Sequence, residues 1–115
     1  MKTNIIVNLQ VEGLHNWPDA KKKIPEVGFL SDMHRHIFHI TIKKYVTHDF
    51  RDIEFIMFKR NIEAYLRKKY YRDDYRCHFF GAKSCEMIAK ELLKEFGCSY
   101  VCVMEDNENG AEVYL

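Results

Sequence analysis

Three histidines in the first third of the chain have the residue type and the spacing of a metal site. His34 and His36 are separated by one residue, within a stretch rich in β-branched and aromatic residues. Residues i and i+2 of a strand project from the same face about 7 Å apart, so two imidazoles at this spacing can bind one ion. His15 ends an earlier stretch of alternating apolar and polar residues. It would lie beside the other two if the stretches pair as a hairpin.

Neutral imidazole is the commonest protein ligand for zinc, and a catalytic zinc site has three protein ligands and one open position. The pattern therefore predicts a zinc site made of His15, His34 and His36. The alternative is that the His-x-His pair is an ordinary part of a strand surface or core. His39 falls on the opposite face of the same strand and His48 is predicted to lie in a loop, so neither is included.

The four cysteines offer no comparable pattern. Cys77, Cys85, Cys98 and Cys102 all lie in the last third of the chain and form no Cys-x-x-Cys pair. A disulfide framework would be expected to link the whole chain, and a four-thiolate zinc site has two close pairs. These residues are therefore predicted to be buried free thiols.

Two strands are predicted to position the histidines. Residues 4–12 alternate with period two, and residues 34–46 are rich in strand-forming residues. Residues 16–31 contain two prolines, a glycine and a run of three lysines, so they are predicted to form a surface loop. The two strands would then pair and bring their histidines together.

Two helices and a hairpin follow. Apolar residues recur at helical spacing from about residue 50 to residue 71, and a second helix is predicted between Ser84 as N-cap and Gly97 as left-handed terminator. Residues 100–104 and 111–115 are predicted strands joined by a turn at Asn109 and Gly110. The order β-β-α-α-β-β predicts an α+β fold, with an antiparallel four-stranded sheet and two helices on one face.

Composition limits the class of protein. The chain has 115 residues, 47% of them hydrophobic, and a net charge of +1, which predicts one domain over residues 1–115 and excludes a two-domain enzyme with its own cofactor domain. No apolar run is long enough for a membrane span, and the N-terminus lacks the pattern of a signal peptide, so a cytoplasmic protein without a membrane partner is predicted. In so small a domain, a deep site is expected to need a neighbouring subunit.

Five segments, in order, resemble motifs of the 6-pyruvoyl-tetrahydropterin synthase and 6-carboxytetrahydropterin synthase family. Residues 11–18 resemble its aromatic-x-Ala-Ala-His-x-Leu motif, and residues 34–36 are similar to its His-Gly-His motif. Residues 54–59 and 83–89 resemble the starts of its two helices, Asp-Phe-x-x-Leu-Lys and Pro-Thr-Ser/Thr-Glu-x-x-Ala. Residues 101–106 look like its Val-x-Val-x-Glu-Thr strand. The resemblance covers nearly the whole chain.

This resemblance implies the tunnelling fold and a role for each matched residue. The three histidines would be the zinc ligands, and Glu105 would hold the amidine-like edge of a pterin, with Ser84 and Cys85 at the same substrate site. A carboxylate suits that task because it accepts two parallel N–H bonds. Family members assemble as rings with active sites between subunits, so a homo-oligomeric ring, of which a hexamer is one size, is implied. Closing a ring would also cover the edges of the sheet.

Two parts of the family's proton-transfer machinery are not found. Leu30 stands where the family has a cysteine, and Tyr70 and Tyr71 fall on its Asp-His pair. Leucine cannot act as a base. Asp32 and His78 are the candidate replacements for the missing catalytic groups. The glycine of the His-Gly-His motif is replaced by an arginine, which would put a cation on the opposite face of the strand or at a subunit contact.

The sequence is compatible with three functions. The first is a zinc-dependent lyase-type synthase that acts on a dihydroneopterin triphosphate-like pterin with altered acid/base residues. The second is a non-catalytic, diverged member of the family that binds a purine- or pterin-like ligand, which the missing groups favour. The third is nucleic-acid binding by the basic and aromatic residues 67–76, although two aspartates interrupt that stretch and the chain is nearly neutral.

Overall fold

A computed structural model describes residues 1–115 as an α+β fold built on one six-stranded sheet. The strands are β1 (Thr3–His15), β2 (His34–Val46), β3 (Tyr71–Arg72), β4 (Cys77–Gly81), β5 (Tyr100–Glu105) and β6 (Asn109–Tyr114). The helices are α1 (Ala20–Lys23), a 3₁₀ helix (Pro25–Ser31), α2 (Phe55–Tyr70) and α3 (Cys85–Phe96). None of these helices combines the length and the apolar character needed to cross a bilayer.

The sheet corrects the predicted four-stranded antiparallel arrangement. Its strand order is β3-β4-β1-β2-β5-β6, and β4 pairs with β1 in parallel, so the sheet is mixed. Residues 73–76 form the turn of the antiparallel β3–β4 hairpin, in which Arg72 pairs with Cys77. These strands have only two and five residues, too few to show an alternating pattern.

The central hairpin agrees with the prediction. β1 and β2 pair antiparallel along their whole lengths, from Thr3 opposite Val46 to His15 opposite His34. Alternate residues of both strands, among them Leu9 and Ile40, are buried in one core with apolar residues of α2 and α3. The period-two pattern therefore also decides which face of the sheet the helices cover.

Local capping determines where the two long helices begin and end. Glu54 caps α2 by accepting hydrogen bonds from the backbone N–H groups of Ile56 and Met57, so the helix begins at Phe55 and not near residue 50 as predicted. Ser84 caps α3 through its side chain, and Gly97 ends it at a φ of 59°, both as predicted.

Two connections differ from the predictions. The segment predicted as a surface loop contains the two short helices, and it closes through a 2.8 Å hydrogen bond from Trp17 N to Leu30 O. The last turn is formed by Asp106 and Asn107, both with positive φ, and not by Asn109 and Gly110. Gly110 lies in β6, where a Cβ atom would come within 2.0 Å of a backbone oxygen of β5.

Candidate metal centre and ligand cavity

The strand register brings the three predicted histidines together on the face of the sheet that the helices cover. His15 lies directly opposite His34, and His36 follows two residues later on the same face of β2. Their ring centroids are 4.6 to 5.4 Å apart, and one nitrogen from each ring lies within 4.8 Å of the others. The three residues can therefore hold a metal ion.

Aromatic side chains form the floor beneath the histidines. The Phe38 ring meets the rings of His15 and His36 edge-on, at centroid distances of 5.2 and 5.8 Å. Gly13 leaves room for this packing, because a Cβ atom there would come within 2.6 Å of the Phe80 ring. This apolar floor excludes water from one side of the centre.

Each histidine is oriented by a hydrogen bond at Nδ1. The acceptors are Lys83 O for His15 at 2.9 Å and Asp32 O for His34 at 2.8 Å. For His36 the acceptor is Asp106 Oδ2, at 2.6 Å. A carbonyl oxygen has no proton to donate, so the first two Nδ1 atoms must carry the proton and donate it. In each neutral ring the Nε2 atom then keeps a free lone pair, which is the arrangement typical of metal-binding histidines.

The Nε2 atoms of His15 and His36 are buried and have no hydrogen-bond partner. Glu105 is their nearest charged neighbour: its Oε2 atom lies 2.9 Å from Nε2 of His15, and its Oε1 atom lies 3.5 Å from Nε2 of His36. Buried polar atoms without a partner are rare in folded proteins. Orphaned imidazole nitrogens beside a carboxylate fit an ion-binding centre, and imidazole suits zinc, copper, iron and nickel.

The same contacts shift several pKa values. Burial opposes protonation of His15, but the Glu105 carboxylate and the Lys83 carbonyl outweigh it and raise the pKa of that imidazole. Contact with His15 in turn lowers the pKa of Glu105. Burial, aided by the negative charge of Glu105, raises the pKa of the Cys85 thiol to about 12. Cys85 therefore remains a thiol at neutral pH and faces Glu105 as a donor, with Sγ 3.7 Å from Oε2.

A cavity of about 520 Å³ opens beside the histidines. His15 and His34 line it together with all three predicted substrate-binding residues, Glu105, Ser84 and Cys85. These three come from the end of β5 and the beginning of α3, which the fold places next to the β1–β2 hairpin. The Ser84 hydroxyl accepts a hydrogen bond from the N–H of Met87, which leaves its own proton free for a ligand.

Neither of the two candidate replacements for proton transfer, Asp32 and His78, lines the cavity. Leu30 lines the cavity, held there by the closed loop that joins β1 to β2. The Asp32 side chain is exposed and outside the cavity lining, and only its backbone carbonyl reaches the centre. His78 pairs with Gly13 across β4 and β1, stacks on Phe80, and is also outside the lining.

Two residues that orient the histidines by hydrogen bonds were not predicted from the sequence. Asp106 accepts a hydrogen bond from Nδ1 of His36 and another from Ile37 N, at 2.6 and 2.9 Å. These hydrogen bonds lower the pKa of Asp106. The other is Lys83, whose carbonyl orients His15. The only sequence signal for Asp106 was that it is acidic and directly follows Glu105. The role of Lys83 left no signal, because any residue has a backbone carbonyl.

The basic and aromatic stretch considered for nucleic acid binding is largely occupied by contacts within the chain. The Arg67 guanidinium lies 4.1 Å from the centre of the Tyr71 ring, and Lys69 forms an ion pair with Glu91 at 2.8 Å. Arg72 pairs with Asp74, also at 2.8 Å. The replacement of glycine by Arg35 places that cation on the face opposite the histidines, 3.2 Å from the Glu12 carboxylate.

Neither a protein-family model nor a curated protein sequence matches the chain. The assignment of the centre therefore rests on its geometry.

Proposed function

We propose that the chain is a zinc-dependent protein of the 6-pyruvoyl/6-carboxytetrahydropterin synthase type, with a tunnelling fold, that acts on a dihydroneopterin triphosphate-like pterin. The observation that carries the proposal is the arrangement of the three histidine rings. Two of them must donate their Nδ1 protons to backbone carbonyls, and two have buried Nε2 atoms without a hydrogen-bond partner beside the cavity.

His15, His34 and His36 would each hold the zinc through the Nε2 atom. When bound, zinc would act as a Lewis acid that polarises an oxygen of the ligand. Glu105 would accept paired N–H groups from the edge of the heterocycle, and the hydroxyl of Ser84 would donate to an acceptor on it. Cys85 would donate its thiol proton, because its raised pKa makes it unsuitable as a base at neutral pH.

A second candidate is a diverged protein that binds zinc and a pterin- or purine-like ligand without turnover. The observation that favours it is the cavity lining, which has Leu30 where the resemblance implies a cysteine and does not include Asp32 or His78. Proton transfer needs a group within hydrogen-bond reach of the substrate, directly or through one water. The carboxylates that line the cavity are Glu105 and Glu86, and these are the candidate bases for a synthase.

The test has two stages. The protein, purified without added metal, is expected to contain about one zinc per chain, and the His36→Ala variant is expected to lose it. His39→Ala is the matched control, since His39 lies on the same strand but the opposite face, where it pairs with Gln10. Wild-type protein without metal, or a His36→Ala variant that keeps its metal, would contradict the proposal.

The zinc-loaded protein is then incubated with dihydroneopterin triphosphate, and the products are analysed. Formation of a 6-substituted tetrahydropterin supports the synthase. Binding without any product supports the second candidate. If dihydroneopterin triphosphate neither binds nor reacts, the synthase is wrong about the ligand, and the second candidate is then restricted to a purine-like ligand.

A further inference from the structure

Glu105 lies where a fourth metal ligand would lie. Its two carboxylate oxygens approach the Nε2 atoms of His15 and His36, at 2.9 and 3.5 Å. The Nδ1 atom of His15 donates its proton to the Lys83 carbonyl, so Nε2 of the neutral ring bears a lone pair. A lone pair of nitrogen and a carboxylate oxygen at this distance repel each other unless a cation binds to both.

The position of Glu105 is fixed by the backbone around it. Glu105 is the last residue of β5 and pairs with Phe38, whose ring packs beneath the histidines. The next residue, Asp106, donates its N–H to the carbonyl of Ile37 at 2.8 Å, and its carboxylate holds the Nδ1 atom of His36. Two consecutive carboxylates therefore approach the two nitrogens of the same imidazole, which points to a centre built around His36.

We propose that Glu105 is the fourth protein ligand of the metal, so that the centre has three histidine nitrogens and one carboxylate oxygen in the ligand-free protein. This inference rests on the proposed metal site, and it alters what that site can do. Four protein ligands close a tetrahedral centre, whereas a catalytic zinc keeps a position open. A pterin that binds Glu105 must therefore compete with the metal for its carboxylate.

The competing explanation is that a proton, not a metal, lies between Glu105 and His15. In that case Glu105 would be the counter-ion of a protonated imidazole, and it would contribute nothing when the histidines hold a metal. The two explanations differ in how strongly the affinity for metal depends on the carboxylate.

The experiment uses the full chain, freed of metal with a chelator and titrated with Co²⁺, whose visible bands are intense in a four-coordinate centre. Zinc affinity is then measured by competition. Glu105→Gln is expected to weaken zinc binding by at least about 10-fold. The loss of a residue that only hydrogen-bonds to a ligand already lowers metal affinity by about 10- to 100-fold. Glu105→Gln is also expected to change the Co²⁺ bands. Glu108→Gln, at an exposed position of the same turn, is the matched control and should behave as the wild type.

A third variant separates ligation from packing. Glu105→Asp keeps the charge but shortens the side chain, whereas Glu105→Gln keeps the length but removes the charge. Weaker zinc binding by the Gln variant than by the Asp variant supports ligation. The reverse order overturns it, because packing would then explain the loss.

Two further results would contradict the inference. If the wild type binds metal and Glu105→Gln binds it equally well with the same Co²⁺ bands, Glu105 is not a ligand, while the three-histidine site still stands. If the wild type binds neither metal, both the inference and the proposed function are wrong.

Discussion

Glu91 and Glu105 are both partly buried carboxylates, yet their surroundings are opposite in kind. Glu91, on α3, receives hydrogen bonds from four donors, the ammonium groups of Lys69 and Lys83 and the hydroxyls of Tyr65 and Tyr70. Glu105 faces two imidazole nitrogens that have no hydrogen-bond partner, and its only donor is the weak thiol of Cys85. The first carboxylate is satisfied by the fold, whereas the second is satisfied only if a cation joins it.

The difference separates a carboxylate that is saturated by donors of the fold from one that faces unpaired nitrogens. Burial alone disfavours the charged form of Glu91, but its four donors outweigh this and lower its pKa to about 2. Lys83 connects the two regions, because its ammonium group binds Glu91 while its carbonyl orients His15. The Glu91 cluster thus anchors the residue whose carbonyl orients His15, and the oxygens of Glu91 are themselves occupied by hydrogen bonds.

The largest expected effect is at a metal ligand. The His34→Ala variant should bind zinc at least about 100-fold more weakly, because it loses a ligand and not merely an outer partner. The apo-protein should keep its stability, since the His34 ring is half-buried and bonds only to the carbonyl of Asp32. Competition titration and thermal unfolding of the apo-protein measure the two quantities. If His34→Ala binds zinc as tightly as the wild type, the region around Glu105 does not bind metal through His34, and its contrast with the region around Glu91 is lost.

A smaller loss of zinc affinity is expected when the residue that hydrogen-bonds to a metal ligand is changed. Asp106→Asn keeps an acceptor for Ile37 N–H but removes the charge beside His36, which should weaken zinc binding by about 10- to 100-fold. The same titration measures it. The Glu108→Gln variant, which also removes one negative charge from the turn without touching His36, is the control for a purely electrostatic effect. Equal effects of both substitutions would argue against a specific role for Asp106.

Substitutions in the Glu91 cluster should change the stability of the apo-protein and not its affinity for zinc. Glu91→Gln is expected to lower the free energy of unfolding of the apo-protein by about 2 kcal/mol, the scale of a hydrogen bond to a charged group. Urea unfolding of the apo-protein tests this, with Glu95→Gln as the control at an exposed position of the same helix. If Glu105→Gln destabilises the apo-protein as much as Glu91→Gln does, the distinction between the two carboxylates fails.

The smallest effect concerns pH. Because the pKa of Glu91 is lower in the folded protein than its ordinary value of 4.5, its contribution to stability is present above pH 4.5 and is lost as the pH falls towards about 2. The difference in unfolding free energy between wild type and Glu91→Gln should therefore shrink over this range. A difference that stays constant from pH 6 to pH 3 would contradict the assignment of the low pKa to Glu91.

The hairpin that carries the histidines was predictable because its information is local. Alternation along both strands decides which side chains share a face, and pairing of the two strands decides that His15 meets His34. The ends of α3 were predictable for a similar reason, since Ser84 and Gly97 act on their own helix termini. The α+β class follows from the same local patterns.

The rest depends on contacts between distant segments. β4 has five residues and pairs in parallel with β1, an arrangement that no pattern within residues 77–81 indicates. The last turn was misplaced because Gly110 is required for a close approach to β5, and not for a turn conformation. Asp106 reaches His36 only through the register between β2 and β5, so its role could not be read from its position in the sequence.

One metal ion is expected to bind between the Nε2 atoms of the three histidines and the Glu105 carboxylate. Anomalous diffraction from crystals of the zinc-loaded protein, recorded at the zinc absorption edge, tests it most directly. We expect one peak about 2.1 Å from each of the three Nε2 atoms and from one oxygen of Glu105. The absence of a peak among the histidines, or a peak bound through Nδ1 atoms, would contradict it.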